Sequence, residues 1–166
     1  MAIREILEVP DPRLKTVSTP VDRFDDDLRA LVDDMFETMY AAPGRGLAAP
    51  QLGVMLRLFV MDPTWRDGGS APLVCINPEI APLGQAQVAS AEGCLSLPGV
   101  ETVVQRWARI RLRYYDIEGA PQERQLDGFA ARCAQHEADH LDGIMTLHRL
   151  DEGARIQALA DYEAGR

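Results

Sequence analysis

Residues 108–143 read ARIRLRYYDIEGAPQERQLDGFAARCAQHEADHLDG. The first part alternates, with Ile110, Leu112 and Tyr114 on one side and Arg111 and Arg113 on the other, the period of a half-buried strand. The run PQERQLDG can pair back on it as a hairpin. Asp127 then stands where a helix cap is wanted, and a helix is predicted from about Phe129 to Asp142, with Gly143 as its stop. With a helix and further strands before it, the order helix, several strands, helix suggests an α+β fold with a largely antiparallel sheet.

The rest of the chain agrees with that class. In DDDLRALVDDMFETMYAA, starting at Asp25, the residues Leu28, Leu31, Val32, Met35 and Met39 recur at helical spacing behind leading aspartates. RLFVMD (57–62) and PLVCINPEI (72–80) read as buried or half-buried strands, and DGGSAP (67–72) as a surface loop. A last helix is predicted in DEGARIQALADYEAG. With 166 residues, one domain spanning 1–166 is expected. A net charge of −9 argues against a general nucleic-acid binder, which would show a basic face, though a local basic patch is compatible with it. No apolar run is long enough to cross a bilayer, and the start lacks the pattern of a secretory signal. Cys75, Cys94 and Cys133 are an odd, sparse set, which fits a reducing cytoplasm better than a disulfide framework.

Within the predicted helix, His136 and His140 are four apart. On one helical face their Cβ atoms lie about 5–6 Å from one another. Two imidazoles so placed can share an ion at about 2.0–2.1 Å from each nitrogen. Glu137 can then reach solvent beside the ion as a general base. The alternative is a pair of core histidines on an amphipathic stripe with Phe129 and Cys133. His148, the third histidine, is expected at the surface.

Two histidines need a third ligand. The extension that would supply another histidine fails, because Thr146 occupies its final position. A distant glutamate, Glu152 or Glu163, would make the chain a metallopeptidase. Cys94, in SAEGCLSLPGV (90–100), offers a thiolate, which suits a soft or borderline divalent metal. Cys75 and Cys133 are both expected to be small buried hydrophobes, Cys133, one turn before His136, also lining the same pocket. GRGLAAPQLG (44–53) is a tight turn into a strand, with a carboxamide at Gln51.

Taken together, GRGLAAPQ (44–51), EGCLSLP (92–98) and QHEADHL (135–141) resemble, in order and separation, the three motifs of the peptide deformylase family. The likeness runs from EVPDPRL (8–14) through LVDDMFETMYAAPG (31–44) to about Leu150. It implies that Cys94, His136 and His140 hold one divalent metal, usually Fe2+, with Ni2+, Co2+ or Zn2+ able to take its place. It further implies that Glu137 is the general base and that Gln51 and the Leu95 N–H face the oxyanion. The implied reaction removes the N-formyl group from N-formylmethionine of nascent polypeptides and releases formate. Backbone near Arg45, Gly46 and Gly93 would pair with the substrate, and Gly46, Leu95, Phe129, Cys133 and His136 would surround the methionine side chain.

Three features depart from the pattern. Arg45 stands where an aliphatic residue is common, and Glu101 where many members carry arginine. The two could pair with each other, but solvation of both is expected, since exposed pairs contribute only about 0–1 kcal/mol. From Asp151 onward there are four acids against two arginines, so ribosome docking through a basic tail is not supported. A non-catalytic relative that binds metal or formyl-peptide stays open as the other interpretation.

Overall fold

The computed structural model describes residues 2–166. Helix α1 (Asp26–Ala41) opens with Asp25, whose side chain accepts from the Leu28 N–H. Seven strands follow: β1 (Gly46–Ala48), β2 (Leu58–Met61), β3 (Leu73–Pro82), β4 (Gln87–Cys94), β5 (Leu97–Trp107), β6 (Arg109–Tyr115) and β7 (Pro121–Asp127). The chain continues into α2 (Gly128–Leu141) and ends with α3 (Glu152–Ala164). All strand pairings between these elements are antiparallel, in a five-stranded sheet of order β1-β2-β3-β6-β7 and a separate β4–β5 hairpin.

Side-chain alternation decides where the helices sit. Leu47 opposes Val60, and Val60 opposes Val74; Ala48 opposes Phe59, and Phe59 opposes Cys75. The first set joins Leu58 and Ile76 under α1, against Leu28, Leu31, Val32, Met35 and Met39. The second joins Met61, Ile110 and Leu112 under α2, against Ala131, Cys133, Ala134 and Leu141. The sheet is therefore covered on both faces at its β1–β2 end, which is why β2 is a continuous apolar run, whereas β6 alternates. A third cluster packs Ala158 and Tyr162 of α3 against Leu97 and Val100 of β5 and Leu14.

The helix that carries the histidines is thus buried along most of its length, with His136, Glu137 and His140 among its buried residues. Its end is fixed by three contacts. Gly143 has φ +71, and a Cβ there would lie 2.6 Å from the Lys15 carbonyl carbon, so both conformation and space demand glycine. Arg57 donates from Nη1 to the Leu141 carbonyl and from Nη2 to Asp142, each at 2.9 Å. The start differs from expectation. Asp127 is the residue before the helix, but its side chain accepts no capping hydrogen bond, and the turn is made by Gly128 with φ +54.

Candidate metal centre

β4 ends at Cys94, where the register with β5 shifts and the chain turns over. That turn lays the Cys94 sulfur against α2. The ligand atoms of Cys94, His136 and His140 all lie within 4.8 Å of one another. Cys94 Sγ is 3.5 Å from His140 Nε2, and the two imidazole centroids are 5.1 Å apart. Bonds of about 2.3 Å to sulfur and about 2.0–2.1 Å to nitrogen, at tetrahedral angles, require a separation of about 3.5 Å. The Cys94–His140 separation meets that requirement, and His136 offers its ligand atom within 4.8 Å of both, so the donor set suits a metal ion.

The orientation of His136 strengthens that fit. Its Nδ1 is 2.9 Å from Glu92 Oε1, which leaves Nε2 for the cluster. Glu92 is itself gripped by Arg106, whose Nη2 and Nε donate to its two oxygens at 2.9 Å each. Arg106 Nη1 donates to Asp139 at 2.6 Å, and Asp139 accepts twice from Arg149. This chain of charges, with Arg106 only 5% exposed, fixes the ring from behind, as carboxylates commonly do for metal-binding histidines. Burial works to raise the Glu92 carboxyl, but hydrogen bonds from Arg106 and His136 win and hold it at about 2. Burial and then the His136 charge push His140 far below the usual histidine range. A neutral His140 imidazole is the form a metal requires.

Glu137 sits beside the cluster, 4% exposed. One carboxylate oxygen lies 3.8 Å from His136 Nε2, and the other has no hydrogen-bond partner among the described residues. Burial pushes its pKa up to about 7 despite the opposing His136 charge. A carboxylate so perturbed, with an oxygen free of hydrogen bonds next to a donor cluster, is suited to carry a proton during a reaction.

Gln51, 1% exposed, is locked in one orientation. Its Oε1 accepts from the Ala48 N–H at 2.9 Å, and its Nε2 donates to Ser96 Oγ at 3.0 Å, lying 3.9 Å from Cys94 Sγ. The amide donor therefore faces the cluster. Leu95 follows Cys94 in the turn and lines the same cleft of about 980 Å³, with Gly46, Gly93, Phe129, Cys133 and His136.

β1 is the free edge of the large sheet. Arg45 O accepts from the Asp62 N–H at 2.9 Å, toward β2, so the antiparallel alternation turns the Gly46 N–H and C=O outward to the cleft. The Arg45 carbonyl is thus already engaged within the protein. A Cβ on Gly46 would lie 2.9 Å from Glu137 Cγ and 3.0 Å from Cys133 Sγ. Gly46→Ala should therefore displace the Glu137 carboxylate and lower kcat by roughly a hundredfold, the scale of an ångström misplacement, with bound metal unchanged; steady-state kinetics beside metal analysis checks this. Gly93 faces open space, so no contact within the chain demands glycine there.

Glu152 and Glu163 are exposed on α3 and lie outside the donor cluster. His148 is exposed and accepts from the Met145 N–H. Cys75 is fully buried in the sheet. Arg45 does not pair with Glu101; its Nη2 lies 3.5 Å from Asp67, and its guanidinium covers Phe129. Glu92, Ser96, Arg106 and Asp139 escaped notice in the sequence. A signal existed for two of them. Glu92 is two residues before Cys94, on the same strand face, and Arg106 continues the inward series Thr102, Val104 on β5.

An α+β scaffold that brings two imidazoles, a thiol and a buried carboxylate together is that of a metal-dependent hydrolase. The polypeptide deformylase family model matches residues 3–155. A peptide deformylase of Novosphingobium aromaticivorans is 46% identical, with 98% of this chain and 97% of that protein covered. The crystal structure of a peptide deformylase from Legionella pneumophila superposes with a TM-score of 0.92 at 40% identity, covering 99% of this chain and 95% of that one. The peptide deformylase of Ehrlichia chaffeensis in complex with actinonin gives 0.93 at 40% identity, covering 100% and 99%. The chain belongs to the peptide deformylase family.

Proposed function

We propose that this protein removes the formyl group from the N-formylmethionine of new polypeptides, with Cys94, His136 and His140 as ligands of one divalent metal. The observation that carries this is the approach of the Cys94 sulfur to both imidazoles beside Glu137. The thiolate–imidazole set disfavours hard cations such as Mg2+ and Ca2+. Among the metals that remain, the family resemblance points to ferrous iron. Bound there, the cation supplies Lewis acidity to the formyl carbonyl and to an attacking water.

The chain's own groups do the rest. The substrate enters as a strand added to the open edge of β1, where Gly46 presents both backbone groups. Gly93 belongs to the facing wall. The methionine side chain fills the space bounded by Leu95, Phe129, Cys133 and His136, whose apolar lining suits an unbranched thioether. Glu137 takes a proton from the water as oxygen adds to the formyl carbon. The Gln51 amide and the Leu95 N–H donate to the oxygen that gains charge, each donor being worth roughly a hundred- to a thousandfold in rate. Glu137 then delivers the proton to the amide nitrogen, the C–N bond breaks, and formate and a free amine leave.

Three unpaired cysteines fit a reducing cytoplasm. No helix among the described residues is long and apolar enough to cross a membrane. The test is formate release from formyl-Met-Ala-Ser by protein purified without oxygen and loaded with iron or nickel. Turnover is expected with the formylated peptide and none with its acetylated counterpart. A protein that binds the formyl-peptide without releasing formate would establish the non-catalytic alternative.

A further inference from the structure

Phe129, at the first turn of α2, is 41% exposed at the mouth of the cleft. The guanidinium carbon of Arg45 lies 4.9 Å from its ring centroid, and that of Arg132 lies 5.7 Å from it. Both cations line the cleft. Cation–π attraction holds each to the ring, and the pair has one exposed counter-charge between them. Arg45 has a single contact, at 3.5 Å, with an Asp67 carboxylate that is itself 63% exposed. Arg132 makes no ion pair among the described residues. The carboxylates of the cleft are engaged or set apart. Glu92 is bound to Arg106, Glu8 accepts from Tyr162, Glu137 is buried, and Glu101, on β5 in the same cleft, forms no ion pair with either arginine among the described residues. In a chain of net charge −9, two cations on one ring that share a single exposed counter-charge at a substrate entrance need a reason.

We infer that Arg45 and Arg132, braced on Phe129, form a cationic clasp that selects formyl-peptides carrying an acidic side chain at the third residue. The inference rests on the deformylase reading and adds a sequence preference to it. Register supplies the position. An added strand that pairs with Gly46 sends its first side chain down between Phe129, Cys133 and His136. Its second side chain points away. Its third returns to the face of the first, about 6.6–6.8 Å further along, where the rim of that pocket lies. Arg45 therefore contributes through its side chain, consistent with its carbonyl being taken by Asp62.

The experiment measures kcat/KM for formyl-Met-Ala-Glu, formyl-Met-Ala-Gln and formyl-Met-Ala-Lys, all amidated at the carboxyl end so that the side chain is the only variable charge. The expected order is Glu, Gln, Lys, with the first and last separated by roughly tenfold at low salt, as two partly exposed charge contacts allow. The difference should lie in KM. It should shrink toward unity at about 0.5 M salt, where screening acts within about 4 Å. Arg132→Gln should flatten the order and Arg132→Glu should invert it in favour of lysine, an inversion that mere loss of packing would not produce. Equal rates on all three peptides, an order unchanged in Arg132→Glu, or a preference seen only with glutamate at the second residue would each overturn the clasp. Equal rates leave the deformylase reading intact; formate from none of the peptides overturns both.

Discussion

Glu137→Gln should lower kcat for formate release by roughly a hundred- to ten-thousandfold, the range that a positioned general base supplies, while metal content stays at the wild-type level. Glutamine has the shape of glutamate and loses only the ability to accept and return a proton. The site gives that ability physical content. Glu137 is buried, one of its oxygens is 3.8 Å from His136 Nε2, and the other is without a partner among the described residues. A structural carboxylate in such surroundings would be expected to have its hydrogen bonds filled, as Glu92 has. The loss corresponds to about 2.7–5.4 kcal/mol of transition-state stabilisation. Single-turnover kinetics and elemental analysis on the same preparation separate the base role from ligand loss. A variant within threefold of wild type would remove Glu137 from the chemistry and leave the proton transfers to solvent.

How much of this was legible without coordinates depended on how strongly each element was patterned. The β6–β7 hairpin and α2 follow from residues 108–143, because Ile110, Leu112 and Tyr114 alternate cleanly and α2 has a plain end at Gly143. α1 follows from its apolar spacing. The β4–β5 hairpin was not foreseen, although it delivers Cys94. β4 is built of small and polar residues and is exposed or half-buried along its whole length, so hydrophobic alternation does not mark it. The donor set could be named from motif order, yet the supports behind it could not. A sequence shows Glu92 and Arg106 fourteen positions apart; only the pairing of β4 with β5 makes them a bidentate ion pair behind His136. The capping role of Asp127 failed for a related reason. The strand β7 enters α2 through Gly128 in a left-handed conformation, which turns the chain without the carboxylate.

Cys94→Ala should abolish stoichiometric metal binding and, with it, activity, leaving the far-UV circular dichroism unchanged. Removing a group that only orients a metal-binding histidine, such as Glu92, typically costs tenfold to a hundredfold in affinity. Removing a ligand should cost more than roughly a hundredfold, because His136 and His140 alone leave half of a tetrahedral site to solvent. The fold should tolerate the change. Cys94 is half-buried at a turn and touches the α3-side cluster only at its edge, so truncation opens little cavity. The sulfur also leaves a signature that no oxygen or nitrogen ligand gives. Protein loaded with cobalt should show a thiolate-to-metal charge-transfer band that is absent in Cys94→Ala and present in Cys75→Ala, whose sulfur lies in the sheet core. If the band and the metal both persisted without Cys94, Cys133 would be the sulfur to suspect. Metal retained with no band in the wild type would point to oxygen ligation, the arrangement of a metallopeptidase. Sulfur ligation is therefore the property on which the assignment to deformylation rather than peptide cleavage turns.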